Sequence, residues 1–288
     1  MDDVKCLISL IPSLAEQEQI FTFLDHETSQ INSTIEKYEK LTELLKEKRI
    51  AIIDHAVTKG LNPDVKMKDS GVEWIGEIPE HWEVKKIGYI ANKIGSGKTP
   101  KGGSEIYINE GVMLIRSQNV YDECLLLDDV AYIDNEIDEE MSQTRLKEND
   151  LLLNITGASI GRTNTVPANI LPANVNQHVC IIRLKNGLFT QYVSYCLKSK
   201  IIKHQIFSIE NGTSREGLNF QQVKNLFLIL PDNVAEQEKI AEYLDQETSI
   251  IDQLIEKINK QIEQLNEYKT SLISHAVTGK IDVRGEID

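Results

Sequence analysis

The stretch AEQEQIFTFLDHETSQINSTIEKYEKLTELLKEKRIAIIDHAVT at residues 15–58 recurs near the other end of the chain as AEQEKIAEYLDQETSIIDQLIEKINKQIEQLNEYKTSLISHAVT at residues 235–278. The two copies align without a gap at an offset of 220, and 23 of their 44 positions are identical. A match of this length indicates an internal repeat that organises the chain.

Each copy is predicted to form one long helix. The copies lie between Pro12 and Gly60 and between Pro231 and Gly279, residue types that bound helices. Apolar residues recur at every seventh position: Leu24, Ile31, Tyr38, Leu45 and Ile52 in the first copy, and Leu244, Ile251, Ile258, Leu265 and Leu272 in the second. A seven-residue spacing keeps one narrow seam facing a partner helix. We therefore predict an antiparallel coiled coil of the two copies, with two ordinary amphipathic helices on a common core as the alternative.

The residues between the copies predict a globular domain of mixed strands and helices. Short apolar runs predict strands at residues 111–116, 150–155, 178–184 and 226–230. Longer periodic runs predict helices at residues 189–200 and 201–206. The fold class is thus α+β (mixed α/β), with one globular domain and two long helices.

The predicted domain boundaries follow the repeat. Residues 1–61 form the first helical region, residues 62–230 the globular domain, and residues 231–288 the second helical region. The segment VKCLISLIP at residues 4–12 resembles VKNLFLILP at residues 223–231, which reads as the last strand of the globular domain. We therefore expect residues 4–12 to be a strand remnant of a second such domain.

The negative charge is concentrated in the two helical regions. The formal net charge is −14, but residues 62–230 hold 18 basic and 21 acidic side chains and contribute only −3 of it. If nucleic acid is a ligand, the middle domain is the part expected to meet it. The acidic ends are then predicted to face solvent or a protein partner.

Four polar loops in the middle domain combine small residues with long polar ones. They are GSGKTPKGG at residues 95–103, RSQNV at 116–120, TGASIGRT at 156–163 and NGTSREGLN at 211–219. Such loops let the backbone approach a phosphate while longer side chains reach the edges of bases. Ordinary solvent-facing turns are the alternative for each of them.

No catalytic constellation, metal site or cofactor site is predicted. NKIGSGKT at residues 92–99 resembles a phosphate-binding loop, but Asn92 stands where a glycine is required and Pro100 prevents the helix that must follow. His178 flanks an apolar strand, and we expect it to be a hydrogen-bonded core histidine. The four cysteines form no close pair, and no apolar run approaches the length of a membrane span. These features predict a cytoplasmic protein with reduced thiols and no membrane association.

Six motifs, in this order, resemble the specificity subunit of type I restriction–modification systems. They are GVEWIGEIPEHWEVKKIG (71–88), GKTP (97–100), LLLNITGASIGRT (151–163), NVNQHVCIIR (174–183), NGTSREGLN (211–219) and AEQEKIAEYLD (235–245). In that family each target-recognition domain reads one half of a split DNA site, and conserved helices act as a ruler between the domains. Methylation subunits dock on these helices, and a separate subunit carries the translocase and nuclease.

The resemblance implies a DNA-reading, non-catalytic subunit whose partners are double-stranded DNA, the methylation subunit and, indirectly, the restriction/translocase subunit. Family members usually hold two recognition domains, whereas this sequence holds one. We expect a homodimer, with pairing to a different half-subunit or an inactive remnant as alternatives. A coiled-coil scaffold protein that does not bind DNA is the competing function.

The predicted DNA contacts come from the four loops. Positions that match the family's motifs are Lys98, Thr99, Lys101, Arg162, Thr163, Thr213, Ser214 and Arg215. Three further candidates follow a predicted strand end, which directs side chains outward: Arg116, Gln118 and Asn119. An arginine that reads guanine discriminates between sequences, whereas a lysine on a phosphate affects all sequences alike.

Overall fold

The computed structural model describes residues 11–100, 102–211 and 217–284. Two long helices, α1 (Leu14–Lys59) and α7 (Val234–Val277), lie near the two ends of the described chain, and the shorter elements lie between them in the sequence. These are β1 (Met67–Asp69), β2 (Glu77–Pro79), β3 (Trp82–Lys86), α2 (Ile87–Ile90), β4 (Ala91–Ser96), β5 (Val112–Ile115), β6 (Ala131–Ile133), α3 (Asn135–Glu140), β7 (Leu151–Asn154), β8 (Thr163–Thr165), β9 (Ala173–Val175), β10 (Val179–Leu184), α4 (Thr190–Lys198), α5 (Lys200–Asn211), α6 (Phe220–Asn225) and β11 (Phe227–Pro231). The predicted mixed fold class and both long helices are confirmed. The strand expected at residues 4–12 falls almost wholly outside the described residues.

A four-stranded antiparallel sheet in the order β4-β10-β7-β8 is at the centre of the globular part. Successive side chains of a strand point to opposite faces of its sheet. Leu151 and Leu153 accordingly join one buried cluster, and Leu152 joins another. Burial on both faces explains why this strand is a continuous apolar run in the sequence.

Smaller sheets flank the central one. β5 pairs antiparallel with β6 and parallel with β9, giving the order β6-β5-β9. β3 pairs antiparallel with β11, and β1 pairs antiparallel with β2. The sequence predicted β5, β7, β10 and β11 but not the other strands: β1, β2, β3, β4, β6, β8 and β9.

The chain divides into two compact units whose boundaries lie inside the long helices. The globular unit comprises Arg49–Glu247, and the helical unit comprises the chain up to Lys48 together with the chain from Thr248 onward. The sequence instead placed the boundaries at residues 61/62 and 230/231, where the helices end and begin.

The helix ends belong to the globular unit because they supply part of its core. Each helix contributes three buried side chains: Ile53, Ala56 and Val57 from α1, and Ile240, Ala241 and Leu244 from α7. They share one cluster with Trp82 and Tyr192, whose rings meet edge to face with centroids 6.4 Å apart. The Trp82 Nε1–H donates to Glu236 Oε1 at 3.1 Å, so the first turn of α7 also satisfies the polar atom of this buried ring.

In the helical unit, the two helix segments run antiparallel. Lys269 Nζ donates to Asn32 Oδ1 at 2.7 Å, and residues near the start of α1 line the same small cavity as Val277 and Gly279 at the end of α7. The predicted seam residues Ile31, Ile251, Ile258 and Leu272 are buried. The flanking Leu41 and Leu254 are 43% and 42% exposed, so the buried stripe is narrow. The interlocking side-chain packing of a true coiled coil stays a prediction.

Three cysteines lie among the described residues, and each is a free thiol: Cys124, Cys180 and Cys196. Burial raises the pKa of the Cys180 and Cys196 thiols to about 12, which keeps both protonated and unreactive near neutral pH. None of the helices in the described part has the length and apolar character needed to cross a lipid bilayer.

The two tryptophans provide a matched test of this core. Trp82→Ala removes a fully buried ring and leaves Glu236 without its indole donor, so we expect a loss of about 3–5 kcal/mol in the free energy of unfolding. Trp74 is 44% exposed, and Trp74→Ala should cost less than about 1 kcal/mol. Urea titration followed by circular dichroism measures both, and equal losses would contradict the assigned core.

Candidate nucleic-acid interface

The ends of four strands meet along one edge of the globular unit. Because β10 is antiparallel to β4 and β7, its first residues lie beside the last residues of those strands. β5 and β9 are parallel and end together, with Ile115 opposite Val175. We call the segments that follow these strand ends the loop edge: residues 97–100, 116–119, 155–162 and 176–178.

Residues 176–178 join the other three segments through backbone hydrogen bonds. Asn176 accepts a bond from the Gly97 amide at 3.1 Å, and its own amide donates to the Ile115 carbonyl at 3.1 Å. The His178 carbonyl accepts from the Ile155 amide at 3.0 Å. A turn of three residues therefore fixes where the other loops begin.

A chain of side-chain hydrogen bonds crosses the same edge. The Thr99 hydroxyl donates to Gln177 Oε1, and Gln177 Nε2 lies 2.9 Å from His178 Nε2. The opposite ring nitrogen, Nδ1, lies 2.5 Å from Thr156 Oγ1. A neutral imidazole that carries its proton on Nδ1 satisfies both ring contacts. The chain thus connects the loop after β4 to the loop after β7.

Gly97 permits the close approach of these segments. A Cβ atom at this position would lie 1.6 Å from the Val175 carbonyl oxygen, a distance that no side chain could tolerate. The glycine of the GKTP motif is therefore required by backbone packing, since the turn after β4 runs directly against the end of β9.

Five predicted contact residues lie on the loop edge with exposed or partly exposed side chains, and three of them have no acidic partner among the described residues. Lys98 and Thr99 are exposed, and Arg162 is partly exposed. No hydrogen bond or ion pair from the Lys98 ammonium group to another described residue is present. Arg162 lies over the ring of Tyr121, with its guanidinium carbon 4.4 Å from the ring centroid.

Arg116 and Gln118 share an acidic partner. Arg116 Nη2 donates to the Asp129 carbonyl at 2.6 Å, and Gln118 Nε2 donates to the Asp129 carboxylate at 2.9 Å. The Asp129 side chain is 83% exposed. These two predicted contact residues are therefore held at the surface by a carboxylate rather than left without partners.

Asn119 and Thr163 use their polar atoms inside the fold. Asn119 is 1% exposed, and its side chain accepts from the Arg116 amide and donates to the Leu126 carbonyl. Thr163 is fully buried, and its hydroxyl donates to the Leu152 carbonyl at 2.7 Å. The sequence did not reveal these inward orientations, because they depend on which strand or turn each residue faces.

Four predicted contact residues lie outside the described part of the chain: Lys101, Thr213, Ser214 and Arg215. The chain resumes at Gly217, where a Cβ atom would lie 3.1 Å from the Ile155 carbonyl oxygen. The Leu218 amide donates to that same carbonyl at 2.8 Å. The returning end of the fourth loop is therefore placed beside the loop edge.

Sequence reasoning missed Gln177, Thr156 and the role of His178. His178 is partly exposed at the loop edge, so the expectation of a core histidine is wrong. The NVNQHVCIIR motif contained the signal, because its polar NQH triplet stands between two buried strands. In the part of the chain that the structure describes, no group of three or more His, Cys, Asp or Glu side chains is placed to hold a metal ion.

Comparison with known families gives one match, to the type I restriction modification DNA specificity domain, over residues 79–264. The type I restriction enzyme EcoBI specificity subunit of Escherichia coli is 27% identical over 281 residues, which cover 94% of this chain and 58% of that subunit. The type I restriction enzyme MjaVIII specificity subunit of Methanocaldococcus jannaschii is 29% identical over 280 residues, which cover 95% and 62%. The chain thus spans about three fifths of the length of these relatives.

Solved structures show the same fold at low sequence identity. A chain from a study of complex assembly and conformational transition in the type I R-M system superposes with a TM-score of 0.67 at 15% identity, over 93% of this chain and 60% of that one. The HsdS subunit from Thermoanaerobacter tengcongensis superposes with a TM-score of 0.50 at 15% identity, over 94% of this chain and 60% of that one.

Gln177→Ala tests whether this residue holds the loop edge together. The substitution removes the side-chain bonds to Thr99 and His178, each worth about 1 kcal/mol, so the neighbouring loops should open more often. We expect amide hydrogen exchange at Gly97 and Ile155 to accelerate about five- to tenfold. Gln118→Ala is the matched control, because Gln118 bonds Asp129 instead. Unchanged exchange at both amides in Gln177→Ala would contradict the assignment.

Proposed function

Because the chain belongs to the type I restriction modification DNA specificity domain family, we propose that it recognises a DNA sequence on behalf of a type I restriction–modification complex. The observation that carries the proposal is the loop edge, where several strand ends bring polar and basic side chains onto one exposed surface. Rigid strands with short loops at their ends are a common way to hold recognition residues in place.

The predicted contact residues divide into two roles under this proposal. Lys98, Thr99, Arg116, Gln118 and Arg162 have exposed or partly exposed side chains that meet DNA. Asn119 and Thr163 shape the loops from inside, because their polar atoms are already bonded to the fold. The loop residues outside the described part keep the role that the family motif assigns to them: Lys101, Thr213, Ser214 and Arg215.

The helical unit is proposed to separate recognition domains and to receive methylation subunits. By the sequence, the chain up to Lys48 together with the chain from Thr248 onward holds 17 acidic and 10 basic side chains, a net charge of −7. A negative surface suits a protein partner better than it suits DNA phosphates. The methyl transfer and the DNA cleavage then belong to the partner subunits, and this chain supplies no catalytic residue or cofactor.

The decisive experiment combines the chain with its methylation subunit and measures binding to duplex DNA. We expect preference for one sequence and methylation at that sequence. Lys98→Ala should weaken binding to all sequences alike and lower the slope of log affinity against log salt by about one, because a lysine on a phosphate carries no sequence information. Lys147→Ala is the matched control, since Lys147 precedes β7 at the end opposite the loop edge. A complex that forms but prefers no sequence would instead favour a scaffold protein.

A second copy of the chain is proposed to supply a second loop edge. Two-fold self-association is the commonest oligomeric arrangement and would match two identical half-sites in opposite orientation. Light scattering of the purified chain should then give twice the 32.6 kDa of one chain. A purified chain with the mass of one copy, together with a DNA-bound methylation complex that contains only one copy of this chain, would contradict the homodimer.

A further inference from the structure

Arg162 differs from the other arginines that the structure describes in the middle domain, residues 62–230, because it has no acidic partner among the described residues. Arg116 pairs with Asp129, Arg145 with Asp138, and Arg183 with Asp150. Among the described residues, no ion pair or hydrogen bond to the Arg162 guanidinium is present. Its five N–H donors are therefore available to a ligand.

The guanidinium of Arg162 is nevertheless held in place by an aromatic ring. Its central carbon lies 4.4 Å from the centroid of Tyr121, a distance typical of a favourable cation–π contact. Stacking over a ring face leaves the N–H groups at the rim of the planar guanidinium free. The contact with the ring therefore orders the Arg162 side chain and leaves its N–H groups available for hydrogen bonds to a ligand.

The segment that carries Tyr121 is itself anchored to the Arg162 loop. Asn164 Nδ2 donates to the Tyr121 carbonyl at 2.8 Å, and the Thr163 amide donates to Asp122 Oδ1 at 2.8 Å. Both anchors come from the residues that directly follow Arg162. Tyr121 and Arg162 therefore keep a fixed relative position.

Lys203 of α5 links the segment that carries Tyr121 to the loop that carries Arg162. Its ammonium group donates to Asp122 Oδ2 at 2.9 Å and also to the Gly161 carbonyl. The Arg162 carbonyl in turn accepts from the Asn154 amide at 2.8 Å. The backbone on both sides of Arg162 is therefore tied to the globular unit.

We propose that Arg162 reads a guanine in the DNA major groove and that Tyr121 is the positioning residue that aims it. The inference rests on the proposed function and adds the base and the residue that reads it. A planar guanidinium matches the O6 and N7 acceptors of guanine with two parallel hydrogen bonds. A base edge must be met within a fraction of an ångström, whereas a phosphate tolerates a mobile cation, and Arg162 is fixed as base reading requires.

The test selects preferred sequences from randomised duplexes with the full chain in complex with its methylation subunit. The wild type should select a motif that contains a constant G·C pair. Arg162→Lys keeps the positive charge but loses the planar guanidinium that can make two parallel hydrogen bonds. It should therefore reduce discrimination at the constant G·C pair about 5- to 150-fold and leave the other positions of the motif unchanged. Tyr121→Leu should relax the same position, whereas Tyr121→Phe keeps the ring and should behave as the wild type.

Three results separate the possible failures. If Arg162→Lys and Arg162→Ala leave the selected motif intact, or weaken all sequences by one factor, Arg162 contacts a phosphate or nothing and the proposal is overturned. If Tyr121→Leu matches the wild type, Tyr121 has no positioning role. If the wild type itself selects no motif, the proposed function fails, and the guanine-reading role of Arg162 fails with it. Thermal unfolding and complex formation confirm that each variant is folded.

Discussion

The antiparallel pairing of β10 with both β4 and β7 is the constraint on which the loop edge depends. A strand that begins where its two neighbours end brings two loops together at its own first residue. The turn at residues 176–178 then adds the loop after β5, because it connects the parallel partner of β5 to β10. The register is in turn fixed by burial on both faces, since a slip of one residue would exchange the side chains of the two buried clusters.

The internal repeat shows how one sequence serves two environments. In the first copy, Ala56 and Val57 of the HAVT sequence are both buried in the globular unit, whereas in the second copy Val277 is 53% exposed. At the helix starts the relation is reversed, because Ile240 is buried and its counterpart Ile20 is only partly so. Each helix therefore uses one end for the globular core and the remainder for the helical unit, so the boundaries of the compact units fall inside the helices whereas the boundaries predicted from the repeat fall at the helix ends.

Local patterns predicted the elements that local patterns determine. The seven-residue spacing predicted both long helices, and continuous apolar runs predicted β5, β7, β10 and β11 close to their observed bounds. The orientation of single loop residues could not be predicted in this way. Arg162 and Thr163 are adjacent in the sequence. The Thr163 hydroxyl is buried and donates to the Leu152 carbonyl of β7, whereas the Arg162 side chain lies over the ring of Tyr121. Gln177 was missed for the same reason, because its partner Thr99 is 78 residues away in sequence.

Net charge is a poor guide to DNA binding when many cationic side chains are paired with carboxylates within the fold. Arg183 pairs with Asp150, whose carboxylate is buried, and Arg145 pairs with both Asp138 and Glu139. The charges of these residues are therefore neutralised within the fold. Such pairs stabilise loops but present little field to a phosphate. Under the proposed function, the loop-edge cations that lack an acidic partner among the described residues, Lys98 and Arg162, are the ones available to DNA. The position of such cations then matters more for DNA binding than the total charge of the chain.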